Sequence, residues 1–136
     1  DCSNVGVNTV TLTVTDNQGN SNTGTAMVTV NETFAPVAVA QDATIQLDAN
    51  GTASISVSAI DNGSSDNCTI SNSSLDTTLF DCNDLGTNII TLTVIDASGN
   101  TGSATATVTV IDNIALLSVI LWMSLIFLVP ILVLMM

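Results

Sequence analysis

The chain has 136 residues with 12 acidic side chains and no lysine, arginine or histidine, which gives a formal net charge of −12. Proteins bind nucleic acids largely through cationic contacts to phosphate, so this composition excludes that function. It also excludes salt bridges between side chains, and the carboxylates must therefore stay solvated, accept hydrogen bonds or bind a cation.

The beginning of the chain recurs further along the sequence. Residues 1–20 (DCSNVGVNTVTLTVTDNQGN) align without gaps with residues 81–100 (DCNDLGTNIITLTVIDASGN), and the match continues from 25–35 to 105–115. Such internal similarity is typical of arrays of one structural unit. We therefore predict a fragment of a longer tandem array. Its three parts are the C-terminal part of a truncated repeat (1–34), a complete repeat (35–113) and a hydrophobic tail (114–136).

The complete repeat is predicted to be all-β. Threonine and valine favour strands, and the asparagine, aspartate and glycine between them favour turns. Turns are predicted at 48–51 and 96–100, where Asp and Gly separate alternating segments. Frequent short strands suggest an immunoglobulin-like sandwich. In chain order, the predicted strands cover 37–41, 44–47, 52–60, 68–75, 77–82, 88–95 and 101–111.

The chain has three cysteines, and two of them, Cys68 and Cys82, fall in the complete repeat. We predict a disulfide between these two, which leaves Cys2, the counterpart of Cys82, unpaired in this fragment. Such a bond contributes roughly 3 kcal/mol in the chain-entropy model and indicates an oxidising compartment. The alternative is a pair of buried free thiols. A zinc site is disfavoured because the chain has no histidine and no CxxC pair.

Four motifs in this order resemble the HYR (hyalin repeat) family. They are DNGSSDNC (61–68), FDCNDLGTN (80–88), ITLTVIDASGN (90–100) and ATVTVID (106–112). That family consists of immunoglobulin-like modules, common in tandem in bacterial surface proteins. The resemblance implies adhesion or cell-surface scaffolding and no catalysis.

The resemblance covers residues 1–113 and includes a junction between modules. The FAP at 34–36 resembles the family's junction, where "AP" opens each new module. At the second junction the pattern departs, because Leu116 stands where Pro36 stood and a hydrophobic run follows.

One end of the predicted sandwich is expected to gather acidic side chains. If the strands alternate in direction, the linker before residue 35, the loop 61–67 and the turn 96–100 meet at the end that faces the preceding repeat. Carboxylates crowded there repel one another by on the order of 1 kcal/mol per close pair. The side chains expected at this end are Glu32, Asp61, Asp66, Asp96 and Asn100.

Calcium binds carboxylate, amide and carbonyl oxygens in irregular geometry, so we predict a calcium site at this end. Zinc and copper are disfavoured because the loops offer no histidine or free cysteine. By correspondence, Asp16 and Asn20 would serve an upstream junction, and Asp112 would serve a downstream one. The alternative for DNQGN and DASGN is a plain β-turn with a solvated aspartate.

The tail, residues 114–136, carries no charge and is apolar on all sides. As a helix it is long enough to cross a hydrocarbon core of about 30 Å, so we predict a membrane anchor. Because disulfide-bearing modules are predicted before it, we expect its N-terminal side to lie outside. No lysine or arginine follows it, and the positive-inside rule therefore gives no orientation. The alternative is a reading-frame artefact.

These expectations combine into a non-enzymatic extracellular stalk or adhesin segment, stiffened by calcium at its junctions and attached to the cell surface. An enzyme is disfavoured because no His or Lys base is available and aromatic residues are scarce. One alternative is a carbohydrate- or protein-binding surface module without metal; another is a passive spacer of a larger secreted enzyme. The expected partners are neighbouring repeats, the membrane, and host or cell-surface glycans or proteins.

Overall fold

The computed structural model describes residues 1–114, and strands dominate this part of the chain. This confirms the all-β prediction. Two 3-10 turns, Cys2–Asn4 and Cys82–Asp84, and one helical turn complete the elements. In chain order the elements are β1 (Gly6–Thr15), β2 (Ser21–Val30), β3 (Ala43–Gln46), β4 (Thr52–Ser54), α1 (Val57–Ile60), β5 (Ile70–Leu75), β6 (Leu79–Asp81), β7 (Gly86–Asp96) and β8 (Thr101–Ile111).

The strands form three sheets. The largest has the order β3-β8-β7-β5, in which β3 runs parallel to β8 and the other neighbours are antiparallel. The two small sheets are β4–β6 and the hairpin β1–β2. Gly99 adopts a φ of +92° in the turn between β7 and β8, a conformation that glycine reaches without strain, and the long strands can therefore reverse within a few residues.

The core lies against one face of the four-stranded sheet. Alternate residues of β7 and β8 point inward and are almost fully buried, as the period of two predicts. They contact residues from the segment between β3 and β6. The buried cluster consists of Leu47, Ile55, Ile60, Phe80, Ile90, Leu92, Val94, Ala106, Val108 and Val110.

Two predicted strands differ from the structure. The predicted strand 52–60 ends at Ser54 and is followed by α1, because Ile55 and Ile60 both turn into the core while the Asp61 backbone N–H closes the helical turn on Val57. The predicted strand 37–41 forms only isolated bridges, Val37 with Ser65 and Ala40 with Asp61.

The hairpins β1–β2 and β7–β8 pair in the same way. Gly6 pairs with Val30 at the open end of the first hairpin, and Gly86 pairs with Val110 at the open end of the second. The register stays regular in both up to the connecting turn. The sequence match between 1–35 and 81–115 is therefore accompanied by the same local structure.

The predicted membrane anchor, residues 114–136, lies outside the described residues apart from Ile114. Among the helices that the structure does describe, none is both long and apolar enough to span a membrane.

Candidate functional site

The linker after β2 and the turn after β7 meet at one end of the four-stranded sheet. The side-chain nitrogen of Asn100 lies 2.7 Å from Asp96 Oδ2 and 2.8 Å from Glu32 Oε2. The same nitrogen lies 3.3 Å from the carbonyl oxygen of Phe34. We call Glu32, Asp96, Asn100 and the Phe34 carbonyl the junction cluster. It brings together three of the five residues predicted at this end.

Asp96 is the buried member of the junction cluster, with 2% of its surface exposed. Its Oδ1 accepts hydrogen bonds from the backbone N–H groups of Ser98 and Asn100, each at 2.8 Å. Burial acts to raise the pKa of Asp96, but the hydrogen bonds from the Asn100 side chain and from these backbone groups outweigh it, so the pKa lies below its ordinary value. Asp96 is therefore held in its ionised form.

Asp61 and Asp66 do not join the junction cluster. Asp61 Oδ1 accepts the Ser64 backbone N–H at 2.9 Å, and Asp66 Oδ2 accepts the Cys68 backbone N–H at 2.9 Å. The hydrogen bond from Ser64 is also the main reason why the pKa of Asp61 lies below its ordinary value. No group of three or more Asp, Glu or Cys side chains within residues 1–114 is arranged to hold a metal ion. The calcium site predicted at this end stays a prediction.

The residues predicted for neighbouring junctions keep the same local geometry. Asn20 Nδ2 donates to Asp16 Oδ2 at 3.0 Å, as Asn100 does to Asp96. Asp112 accepts the backbone N–H of Ile114 at 3.0 Å, two residues on, and Glu32 accepts that of Phe34 at 2.6 Å in the same way. The corresponding side chains therefore make the same local hydrogen bonds.

The acidic side chains share one feature that the sequence analysis did not single out. Each of the 12 carboxylates accepts at least one hydrogen bond from a backbone N–H group. Backbone donors partly replace the missing cations, because hydrogen bonds stabilise the charged form. Where the donor lies two residues further on, the sequence carried the signal as the Asx-turn pattern. It carried none for Asp42 and Asp76, which accept from the distant Thr107 and Thr91. The twelve residues are Asp1, Asp16, Glu32, Asp42, Asp48, Asp61, Asp66, Asp76, Asp81, Asp84, Asp96 and Asp112.

The predicted Cys68–Cys82 disulfide was wrong. Cys68 is bonded to Cys2, and Cys82 is the free, exposed cysteine of the described chain. Cys68 lies beside the β7–β8 turn, where the Ala97 N–H donates to the Thr69 carbonyl. The Cys82 sulfur lies 3.7 Å from the Gly51 carbonyl oxygen, near the other end of β7 and β8. β5 carries the chain away from the turn, so the two cysteines are close in sequence but not in space.

No protein-family model matches the chain, and the curated proteins give no match either. The motifs, the fold and the junction therefore carry the functional argument.

Proposed function

We propose that this chain is a segment of a non-enzymatic extracellular stalk or adhesin built from tandem HYR-like, immunoglobulin-like modules. In this proposal residues 1–34 end one module and residues 35–113 form the next. The main support is that β1–β2 and β7–β8 share their pairing register and the capping of their turns. Two copies of one local structure in a single chain favour a repeated unit.

The connection between the two segments also supports a stalk. The disulfide joins Cys2 covalently to Cys68, directly after the loop 61–67, and the Asn100 side chain donates to the Glu32 carboxylate in the linker. A covalent and a polar attachment at one junction oppose bending between modules. A stable disulfide also favours an extracellular location. The tail, 114–136, completes the proposal as the membrane anchor.

Calcium at the junction cluster is part of the proposal. Asp96 Oδ2, Glu32 Oε2 and the Phe34 carbonyl oxygen converge on one point, and the Asn100 amide adds an oxygen if its side chain rotates. Charged and carbonyl oxygens are the donors that calcium takes. Bound calcium would place positive charge between two carboxylates and link the linker to the turn. Asp61 and Asp66 are left out of the ligand set because the Asn100 side chain, on which the other oxygens converge, bonds to neither of them.

Thermal unfolding of the full chain in EDTA, in millimolar calcium and in millimolar magnesium tests this proposal. Ligands that bind the folded state raise the midpoint by mass action, and we expect a rise with calcium only. The variant Asp96→Asn should lose the response, while Asp16→Asn should keep it, because Asp16 lies in the same turn type but carries no linker contact among the described residues. An unchanged midpoint in calcium would reduce the module to a passive spacer.

The extracellular location needs its own test. Protease treatment of intact cells that express the natural protein should remove an epitope placed in residues 35–113. Full protection of the epitope on intact cells, with digestion after lysis, would contradict the surface assignment.

A further inference from the structure

Hairpin β1–β2 has one apolar face, and that face is largely exposed. Side chains of a strand point to opposite faces in turn, and the cross-strand pairs Val10 with Ala26 and Asn8 with Val28 place alternate residues of both strands on one side. The other side consists mainly of threonine. Contiguous exposed apolar surface marks interaction sites. We call the apolar side the hairpin face, and its residues are Val10, Leu12, Val14, Ala26, Val28 and Val30.

The same face of β7–β8 is covered. At an offset of 80, five of the six side chains are identical, and the sixth is Ile90 in place of Val10. The six residues of β7–β8 are at most 4% exposed, whereas four of those in the hairpin face are between 44% and 69% exposed. The segment 43–80 supplies the cover of β7–β8, through Leu47, Ile55, Ile60 and Phe80. The structure thus shows which kind of segment a face of this composition holds.

The edges of the hairpin are open to the same strand pairing. β3 pairs in parallel with β8, and β5 pairs antiparallel with β7 over 92–96. The corresponding edges of the hairpin are 28–31 of β2 and 12–16 of β1. Within residues 1–114, β1 and β2 pair only with each other. Unpaired edges beside an apolar face offer backbone donors and acceptors to added strands.

The equivalence of the two hairpins ends where the linker packs. Gly102 of β8 lies so close to the Pro36 carbonyl oxygen that a Cβ would collide with it. Asn22 stands at the corresponding position of β2, and its side chain occupies the space that the linker takes at Gly102. A segment of the type 43–80 therefore fits the hairpin face, whereas the linker 36–38 does not fit in the same way.

We propose that the hairpin face is the docking surface for a segment of the type 43–80 from another module, which adds one strand parallel to β2 and one antiparallel to β1. Residues 43–80 of the described module are already engaged with β7–β8, so they are not the occupant. The inference rests on the proposed function in taking the module as a repeated unit. It deepens that function by stating which parts of two modules meet.

A fusion to the full chain tests the inference. A second copy of residues 43–80 is placed directly before Asp1, because residue 1 holds the position of Asp81 in the repeat. The added copy carries Cys68→Ser, so that it forms no new disulfide. Hydrogen exchange followed by mass spectrometry compares the fusion with the natural chain. We expect the amides of β1 and β2 to exchange more slowly by about tenfold or more in the fusion, and those of β7 and β8 to stay unchanged.

Two matched changes show whether the hairpin face is responsible. Leu12→Asp in the fusion should restore fast exchange in β1 and β2. Thr13→Asp places the same charge on the other side of the same strand and should keep the slow exchange. In the added copy, Ile60→Ser together with Phe80→Ser should also restore fast exchange, because the side chains that cover the face are then polar.

Unchanged exchange of β1 and β2 in the fusion, or slow exchange that survives the two serine changes, would overturn the inference. If the fusion does not fold, the fragment 43–80 with Cys68→Ser is added in excess to the natural chain, and unchanged exchange would then overturn it. Slow exchange in the natural chain that rises with protein concentration, together with a dimer in sedimentation, would also overturn it, because a second copy of the chain would then cover the face.

The calcium response and the protease accessibility are measured on the natural chain. If both are found and the fusion shows no effect, the proposed function stands without this inference. If both are absent and the fusion protects β1–β2, the docking surface stands and the calcium-stiffened surface stalk does not.

Discussion

The hairpins β1–β2 and β7–β8 have one local structure in two environments. Leu12 and Leu92 hold equivalent positions, yet Leu12 is 69% exposed and Leu92 is fully buried. Val14 and Val94 differ in the same way. The difference shows that the turn and the pairing register need only the hairpin's own residues, whereas burial needs partners from outside it.

Those partners are identifiable for β7–β8. Leu47, Ile55, Ile60 and Phe80 fill the face that β7 and β8 present, and all four come from the segment that precedes the hairpin in the chain. No described segment does the same for β1–β2, whose strands are almost entirely exposed.

The largest difference is expected for the equivalent leucines. Leu92→Ala removes a fully buried side chain and leaves a cavity, which costs about 2–5 kcal/mol of unfolding free energy. Leu12→Ala removes an exposed side chain and should cost less than about 0.5 kcal/mol. Urea unfolding of both variants measures this. Equal losses would mean that Leu12 is also packed and would remove the contrast between the hairpins.

The attachment of β1–β2 is the next largest effect. Cys2→Ser removes the bond to Cys68, and the loss of such a long-range disulfide is expected to cost about 2–4 kcal/mol. Cys82→Ser is the control, because its thiol is free and exposed in the described structure. Thermal unfolding with and without reductant measures both. If Cys82→Ser is the more damaging change, the assigned pairing is wrong.

A third pair of variants concerns glycines in the closing strands of the two hairpins. A Cβ on Gly102 of β8 would collide with the Pro36 carbonyl oxygen, so Gly102→Ala forces the linker away and should cost about 1–3 kcal/mol. Gly24 of β2 has no atom within 4 Å of such a Cβ, and Gly24→Ala should leave stability nearly unchanged. Calorimetry measures the stability of both variants. A neutral Gly102→Ala would show that the Pro36 backbone does not pack against this position.

The smallest effect concerns acid stability. The folded-state pKa of Asp96 lies below its ordinary value, so its carboxylate stabilises the fold above the unfolded-state pKa of about 3.9 and loses this contribution as pH falls through the folded-state value. Asp96→Asn should therefore flatten the fall in stability below pH 4. The exposed counterpart Asp16, whose pKa is also lowered, chiefly by the Asn20 side chain, should give a weaker flattening as Asp16→Asn. Urea unfolding between pH 7 and pH 2 measures how steeply the free energy of unfolding falls with pH. The same slope in both variants would mean that Asp96 contributes no more to acid stability than Asp16 does.

The features predicted best from the sequence were strands and turns, which depend on neighbouring residues. The alternation in 88–95 and 101–111 and the Asp–Gly turn between them correspond to β7, β8 and their connection. The direction of the strands was enough to bring Glu32, Asp96 and Asn100 together. Asp61, predicted at the same end, accepts the Ser64 backbone N–H within its own loop, and no pattern in the sequence ranks such a local amide against a shared metal.

Non-local features were harder to predict. The disulfide prediction was wrong because it paired the two cysteines of the complete repeat, which are close along the chain. They are not close in space, since β5 lies between Cys68 and Cys82. The strand predicted over 52–60 was wrong in its second half. The apolar spacing there fits a helical turn as well as a strand, and only the burial of Ile60 in the core decides for the helical turn.

Hydrogen exchange on the full chain, followed by mass spectrometry, tests the central contrast most directly. We expect amides of β7 and β8 to exchange only when the whole domain unfolds, and amides of β1 and β2 to exchange far faster through local opening. Fast exchange confined to β1–β2 would mean that residues 35–113 form a packed domain. The hairpin β1–β2 would then be attached to that domain without a hydrophobic core of its own. Equal protection in the two hairpins would contradict the account, because it would mean that the apolar face of β1–β2 is covered.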